Sequence, residues 1–147
     1  MDQPSQEPTG FVKFDASLRI GLPTVDEQHG VLIGELNRLI VDTGAGTRSA
    51  VFSEVLSRLG RELQAHFDFE EQVLAGLGMP EPEVTAHVSA HRSIMSQYAE
   101  LNLELMERRP VSRSDGLTLI RCWVLDHIVG HDLKMRSYLP PVSMAVQ

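Results

Sequence analysis

Histidines in this sequence occur at intervals that pair them with a second polar residue on the same helix. His66 and Glu70 are four residues apart, and so are His87 and His91. Four residues is about one turn of an α-helix, so both side chains of each pair point the same way. Neutral imidazoles and carboxylates are good ligands for iron and other first-row transition ions. These two pairs therefore predict metal ligands on two helices.

His127 begins a third candidate pair, and its spacing leaves two partners open. His131 lies one turn beyond His127 and is the better partner on helical spacing alone. Asp132 lies five residues beyond His127, and on a regular helix these two side chains diverge by roughly 140°. Their convergence needs a local widening, such as a single π-type turn, which Gly130 between them can ease.

The hydrophobic pattern predicts four long helices and no convincing strand. They run from about Pro23 to Thr43, from about Arg48 to Leu77, from about Pro82 to Arg109, and from after Ser114 to about Leu139. Apolar residues recur in each helix at spacings of three and four, and Gly or Pro residues follow each one. Short connections make consecutive helices antiparallel neighbours. The predicted fold is therefore all-α, an antiparallel up-down-up-down four-helix bundle.

Three regions are expected along the chain. Residues 1–22 are predicted to form an N-terminal arm, of which roughly the first ten residues are poorly ordered. The bundle is predicted over residues 23–139, and a C-terminal tail over residues 140–147.

All six histidines lie in the predicted helices, and at least five continue the apolar stripe of their helix. They are His29, His66, His87, His91, His127 and His131. Burying this many imidazoles and carboxylates costs on the order of several kcal/mol unless something pairs them. Each signal alone has an ordinary explanation, such as a hydrogen-bonded core histidine or a solvated Asp132 at a helix end. Four helices that each supply such groups on the core face favour a shared metal site instead.

Composition excludes several other classes of protein. The chain has 147 residues, one cysteine and a formal net charge of −7. Because a single cysteine forbids an intramolecular disulfide, we expect a reducing compartment and a cytoplasmic protein. The acidic balance argues against a nucleic-acid partner, and no apolar run is long enough to suggest a membrane protein. We expect a monomer, with Cys122 as a small buried hydrophobic residue.

The order of the candidate ligands resembles that of the hemerythrin family, and specifically of the bacterial hemerythrins. The matching segments are VDEQHGVLIGELNRL, HFDFEEQVL, HVSAH and WVLDHIVGHD. Together they reproduce the family order H…HxxxE…HxxxH…HxxxxD, whose last step selects Asp132 over His131. The resemblance implies a four-helix bundle that holds two non-haem iron ions joined by an oxo or hydroxo group.

The resemblance also implies a role for each residue of the pattern. One iron would be bound by His87, His91 and His127, the other by His29 and His66, and both would be bridged by Glu70 and Asp132. The iron held by two histidines would keep an open position, where dioxygen would bind. Family members usually carry a Trp near Phe14 and a Lys at Gly30, departures that concern the packing of the arm because neither residue is a ligand.

A nitrogen-rich site in an apolar pocket favours binding of dioxygen over its activation. Five histidines accompany two carboxylates here, whereas di-iron oxygenases use more carboxylates. The expected pocket lining, which keeps water out, consists of Phe67, Trp123, Val124 and Ile128. We expect reversible dioxygen binding for transport, storage or delivery, without enzymatic activity. The alternatives are a sensor domain that signals to a protein partner through the state of the irons, and a di-iron peroxidase or nitric-oxide-handling enzyme.

Overall fold

Helices account for most of the chain that the computed structural model describes, which comprises residues 12–44, 49–107 and 113–139. The three regular helices are α1 at Pro23–Gly44, α2 at Ser49–Ala75 and α3 at Glu81–Met106. A fourth helical segment starts with α4 at Arg113–Arg121 and packs beside α1. These four segments form a four-helix bundle, as predicted, and no strand occurs among the residues described.

The ends of the regular helices follow local backbone chemistry. Pro23 and Pro82 lie in the first turns of α1 and α3, where a missing backbone N–H leaves no hydrogen bond unmade. Glu81 and Glu83 complement the positive N-terminal end of α3. After α2 the chain turns through Gly78, whose φ of 76° favours glycine. The connection from α2 to α3 is therefore short, which makes the two helices antiparallel neighbours.

The fourth segment is interrupted, whereas the sequence predicts one regular helix. After α4 the chain forms a π-helical turn at Cys122–Asp126, and the His127 N–H donates to the carbonyl of Cys122. The widening predicted between His127 and Asp132 is therefore not found there, because the π turn ends before His127. Since the extra residue of a π turn rotates everything beyond it, this turn sets the direction of the side chains that follow.

Beyond the π turn the backbone changes direction once more. A short helix, α5, spans His127–Gly130, and at His131 the backbone leaves the helical region with φ −126° and ψ −54°. A 3-10 helix then runs over Asp132–Tyr138. This break, and not a regular helix, brings Asp132 to the inside of the bundle.

The N-terminal arm is described from Val12 onward and is fastened to α1. The side-chain amide of Asn37 bonds both the N–H and the carbonyl of Val12, at 2.8 and 2.7 Å. The carboxylate of Asp26 accepts hydrogen bonds from the backbone N–H groups of Ile20 and Gly21, at 2.8 and 3.1 Å. The arm is thus held along its described length by side chains of the bundle.

Buried apolar residues form two clusters at different levels of the bundle. The larger includes Leu32, Leu36, Leu56, Leu59, Phe67, Ile94, Ile120 and Ile128. The smaller includes Ile20, Val25, Leu74, Met79 and Met135. The predicted ligands lie between these two clusters. Along the chain, His29 stands between Val25 of the smaller cluster and Leu32 of the larger, and Asp132 stands between Ile128 of the larger and Met135 of the smaller. The site is therefore enclosed by hydrocarbon on two sides.

Several expectations at the margins of the fold can be compared with the structure. The segments predicted to be poorly ordered or to form a tail lie in residues 1–11 and 140–147, outside those described. None of the described helices combines the length and apolar content that crossing a membrane requires. Cys122 is exposed, so the expectation that it is buried is wrong. Trp123 takes the inward position beside it and is 1% exposed.

Candidate metal centre

All seven residues that the sequence predicts as metal ligands lie together inside the bundle, and each is at most 5% exposed. We call them the polar layer: His29, His66, Glu70, His87, His91, His127 and Asp132. Their ligand atoms form two overlapping groups, and within each group all atoms lie within 4.8 Å of one another. One group contains His87, His91 and His127, the other contains His29 and His66, and both contain Glu70 and Asp132. The two carboxylates therefore belong to both groups.

Glu70 turns one carboxylate oxygen toward each group. Its Oε1 lies 3.0 Å from Nε2 of His87 and 2.9 Å from Nε2 of His91. Its Oε2 lies 3.4 Å from Nε2 of His66. His66 and Glu70 are one turn apart on α2, so this helix supplies a ligand to one group and a shared ligand to both.

Asp132 is arranged in the same way from the opposite side of the bundle. Its Oδ1 lies 2.7 Å from Nε2 of His87 and 3.1 Å from Nε2 of His127. Its Oδ2 lies 2.9 Å from Nε2 of His29. Two carboxylates that each span the same two groups form a geometry suited to bridging a pair of cations.

Several polar atoms of the layer are close together, yet some of them lack a hydrogen-bond partner. Oε2 of Glu70, Oδ2 of Asp132 and Nε2 of His127 are buried and have no hydrogen-bond partner. Buried polar atoms in folded proteins normally have one. The Nε2 atoms of His29 and His66 are 3.0 Å apart. Two ligand atoms that bind one ion at right angles from about 2.1 Å are also about 3.0 Å apart, so the donor set fits metal ions.

Electrostatics in the polar layer favour added positive charge. Burial lowers the pKa of His29 and of His127, but the adjacent carboxylates of Asp132 and Glu70 raise each pKa to about 9 overall. Burial raises the pKa of Glu70, but the surrounding imidazoles, that of His127 first, lower it well below its usual range. Protons and metal ions therefore compete for the same site, and metal binding releases protons.

Comparison with known proteins identifies the family. The family model described as the Hemerythrin HHE cation binding domain matches residues 21–139. The chain belongs to the hemerythrin family. A bacteriohemerythrin of Stenotrophomonas maltophilia (strain R551-3) is 31% identical over 115 residues, which cover 78% of this chain and 72% of that protein. No solved structure matches the chain. The resemblance predicted from the motifs is thus confirmed, and this hemerythrin-family chain is a cation-binding protein.

Two polar residues that the sequence analysis did not identify support ligand rings from outside the layer. Nδ1 of His66 lies 2.6 Å from Oε1 of Gln28, and Nδ1 of His91 lies 2.9 Å from Oε2 of Glu71. Donation from Nδ1–H directs the Nε2 lone pair of each ring at the layer. Gln28 and Glu71 each adjoin a ligand in the sequence, but spacing alone does not reveal which ring each reaches.

His131 lies beside this hemerythrin-type site but supplies no ligand atom to either group. Its ring centroid is 5.1 Å from that of His127 and 5.5 Å from that of His87. Burial lowers the pKa of His131, and nearby His127 lowers it further. The backbone break turns Asp132 and not His131 toward the two groups, which favours the family order, and the ligand role of Asp132 stays a prediction.

The four residues expected to line an apolar pocket are all 1% exposed: Phe67, Trp123, Val124 and Ile128. The ring of Phe67 stacks on that of His91, with centroids 4.0 Å apart and an interplanar angle of 12°. Trp123 meets the ring of Tyr98 edge-on and donates its indole N–H to Oε1 of Gln97 at 2.8 Å. Phe67 thus covers the polar layer directly, and the lining of a dioxygen pocket stays a prediction for all four.

Proposed function

We propose that this chain holds two non-haem iron ions and binds dioxygen reversibly, for transport, storage or delivery. The observation that carries the proposal is the pair of carboxylates, Glu70 and Asp132, each of which directs one oxygen at one histidine group and its other oxygen at the other group. One iron is assigned to His87, His91 and His127, and the other to His29 and His66. The cytoplasmic location and monomeric state expected from the sequence belong to the same proposal.

The unequal groups support binding of a small molecule at one of the two irons. One position has three imidazoles and the other has two, while the bridging carboxylates are shared. The position of His29 and His66 therefore has one protein ligand fewer and room for an exogenous one. A reduced iron pair supplies the electrons on which reversible dioxygen binding depends. Phe67 and the buried apolar residues around the layer exclude water, which slows loss of oxidised products.

Anaerobic reconstitution with ferrous iron tests the proposal. We expect two irons per chain and a charge-transfer absorption that appears when dioxygen is added and disappears when it is removed. The variant His131→Gln is the matched control, because its imidazole lies beside the layer without contributing to it, and it should retain both irons. Metal analysis that finds about one zinc ion, or no metal, per chain overturns the proposal.

A contact of the N-terminal arm favours sensing as the second candidate function. Phe14 packs over Gly30, where a methyl group in place of the glycine hydrogen would lie 3.6 Å from the Phe14 ring. Gly30 directly follows His29, so a change at the metal position of His29 is passed to the arm through one residue. A partner protein that recognises the arm would then read the state of the irons.

Hydrogen exchange of residues 12–22 separates the two candidates. A sensor is expected to change the exchange rates of the arm by at least about tenfold between the reduced and oxidised states, since local opening free energies control exchange. Unchanged rates, together with reversible absorption changes, support carriage. Rapid bleaching to the diferric state with altered arm exchange supports sensing.

A further inference from the structure

The two metal positions differ in the residues that support their histidines from outside. On the three-histidine side, Nδ1 of His91 donates to the carboxylate of Glu71 at 2.9 Å. On the two-histidine side, Nδ1 of His66 donates to the neutral amide oxygen of Gln28 at 2.6 Å. The remaining ring of that side, His29, has a buried Nδ1 with no hydrogen-bond partner. Among the residues that the structure describes, support from a negative charge is therefore seen at the three-histidine position and not at the two-histidine position.

The charge of the outer partner changes how strongly an imidazole binds a cation. A carboxylate that accepts the Nδ1–H bond stabilises positive charge on the ring and makes Nε2 a stronger donor. An amide oxygen makes a weaker hydrogen bond, since bonds to a charged group are roughly twice as strong as neutral ones. Nε2 of His91 is accordingly expected to bind a cation more strongly than Nε2 of His66.

His91 is also the ring whose orientation is fixed most completely. Glu71 and Phe67 are one turn apart on α2, and both contact His91 on α3. Glu71 bonds the edge of the His91 ring. Phe67 stacks on its face, with the two ring centroids 4.0 Å apart. His91 is 2% exposed, whereas the side chain of Glu71 is 37% exposed. The burial cost of the Glu71 charge is thus small, while its hydrogen bond acts on a buried ligand.

We propose that Glu71 is a positioning residue that makes the position of His87, His91 and His127 the tighter of the two, so that this position fills first. The inference rests on the proposed two-metal site and concerns the order and strength of loading within it. In a chain with one ion, that ion occupies the three-histidine side, and the two-histidine side remains free until more metal is present.

Titration of the metal-free chain with Co²⁺ tests this order by calorimetry and visible absorption. The unchanged chain should bind two ions in two steps of different affinity. Glu71→Gln keeps a hydrogen-bond acceptor and removes the charge, and it should weaken the first step by about 10- to 100-fold, the usual effect of losing an outer partner. Gln28→Glu adds the charge on the other side and should strengthen the second step, bringing the two steps closer together.

Asp68→Asn is the matched control, because it removes the same charge from the same helix. Asp68 accepts a hydrogen bond from Gln64 at an exposed site and touches no ligand. A second readout is the proton NMR spectrum of the Co²⁺ form, in which the Nδ1–H signals of the ligand histidines are paramagnetically shifted. The His91 signal should move in Glu71→Gln and should be unchanged in Asp68→Asn. A role of Glu71 in folding alone would not shift one ring signal selectively.

The outcomes separate this inference from the proposed function. Two equal steps in the unchanged chain, or a Glu71→Gln titration that matches Asp68→Asn, overturn the order of loading and leave the two-metal site intact. Binding of fewer than two Co²⁺ ions by the unchanged chain overturns both. If Glu71→Gln fails to fold by circular dichroism, the Gln28→Glu titration decides, and an unaltered second step there contradicts the inference.

Discussion

In the part of the chain that the structure describes, two clusters of ionisable groups can be compared, and one of the two contains a permanent cation of its own. In the Arg58 cluster, formed by Glu35, Arg58 and Glu62, the guanidinium donates to both oxygens of Glu35 at 2.6 and 3.1 Å. The polar layer has two carboxylates and five imidazoles, but neither Lys nor Arg. Buried carboxylates alone therefore do not indicate a metal. Buried carboxylates without a permanent counter-ion do, because something else must supply the charge.

The pKa directions in the two clusters reflect the same contrast. Arg58 lowers the pKa of Glu35, while burial and the adjacent Glu35 raise the pKa of Glu62 to about 7. One guanidinium therefore neutralises one carboxylate, and the second carboxyl group keeps its proton to a higher pH than an ordinary glutamate does. In the polar layer, the surrounding imidazoles lower the pKa of Glu70 and of Asp132 despite their burial. Both carboxylates stay charged there, ready for a cation.

The largest expected effect comes from removing a carboxylate from the polar layer. Glu70→Gln takes a charged ligand from both groups at once, so the affinity for at least one ion should fall by more than about 100-fold, beyond the loss of an outer partner. Metal content after dialysis measures it. Glu62→Gln, the same change on the same helix, should leave two ions bound. Two tightly held ions in Glu70→Gln would show that the layer does not need its shared carboxylate.

A smaller effect is expected from removing the cation of the Arg58 cluster. Arg58→Met keeps the length of the side chain but leaves Glu35, which is 9% exposed, without its hydrogen-bonded partner. The free energy of unfolding should fall by about 1–3 kcal/mol, the cost of an unsatisfied buried polar group, as measured by urea denaturation.

Metal content decides whether the Arg58 cluster and the polar layer are independent. Arg61→Met, on the same helix, is the control and should change the unfolding free energy by less than about 0.5 kcal/mol. Both variants should bind two ions per chain. A loss of metal in Arg58→Met would mean that the two clusters are coupled, contrary to the contrast drawn between them.

The polar layer was predictable from sequence wherever helical geometry alone aligns the side chains. His66 with Glu70, and His87 with His91, lie one turn apart on regular helices, so spacing was sufficient to place each pair on one face. His127 and Asp132 required a departure from regular geometry. Spacing predicted a π-type turn between the two residues, whereas the structure has its π turn before His127 and a backbone break at His131. The competing partner His131 was excluded by the family order, and the structure explains its exclusion by a backbone break.

Contacts between helices were beyond prediction from the sequence. Whether Glu71 reaches His91 depends on how far α2 and α3 are rotated about their axes, which the packing of both helices determines. The same holds for Gln28 and His66 across α1 and α2. The prediction that Cys122 is buried rests on the usual behaviour of a lone helical cysteine, and the π turn that begins at this residue is not visible in the sequence. The sequence thus specified the ligands better than their supports.

The smallest expected effect concerns the proton of the Arg58 cluster. Because Glu62 has a pKa of about 7 when folded and an ordinary value of 4.5, the folded state holds its proton more tightly than the unfolded state. The contribution of Glu62 to stability must therefore decline as pH rises from 4.5 to 7. Glu62→Gln removes this decline, so the melting temperature of the unchanged chain relative to the variant should fall across that range.

The size and sign of this difference in melting temperature test the contrast between the Arg58 cluster and the polar layer. Glu62 is only partly buried, so solvent screening should keep the change below about 1 kcal/mol. Glu35 contributes in the opposite direction, since its lowered pKa means that stability is lost only as the pH falls below 4.5. A difference that stays constant from pH 4.5 to 7 would mean that Glu62 is ionised in the folded state over this range, as it is in the unfolded state. The cluster would then keep its remaining negative charge without a proton, and the parallel with the metal ion proposed for the polar layer would fail.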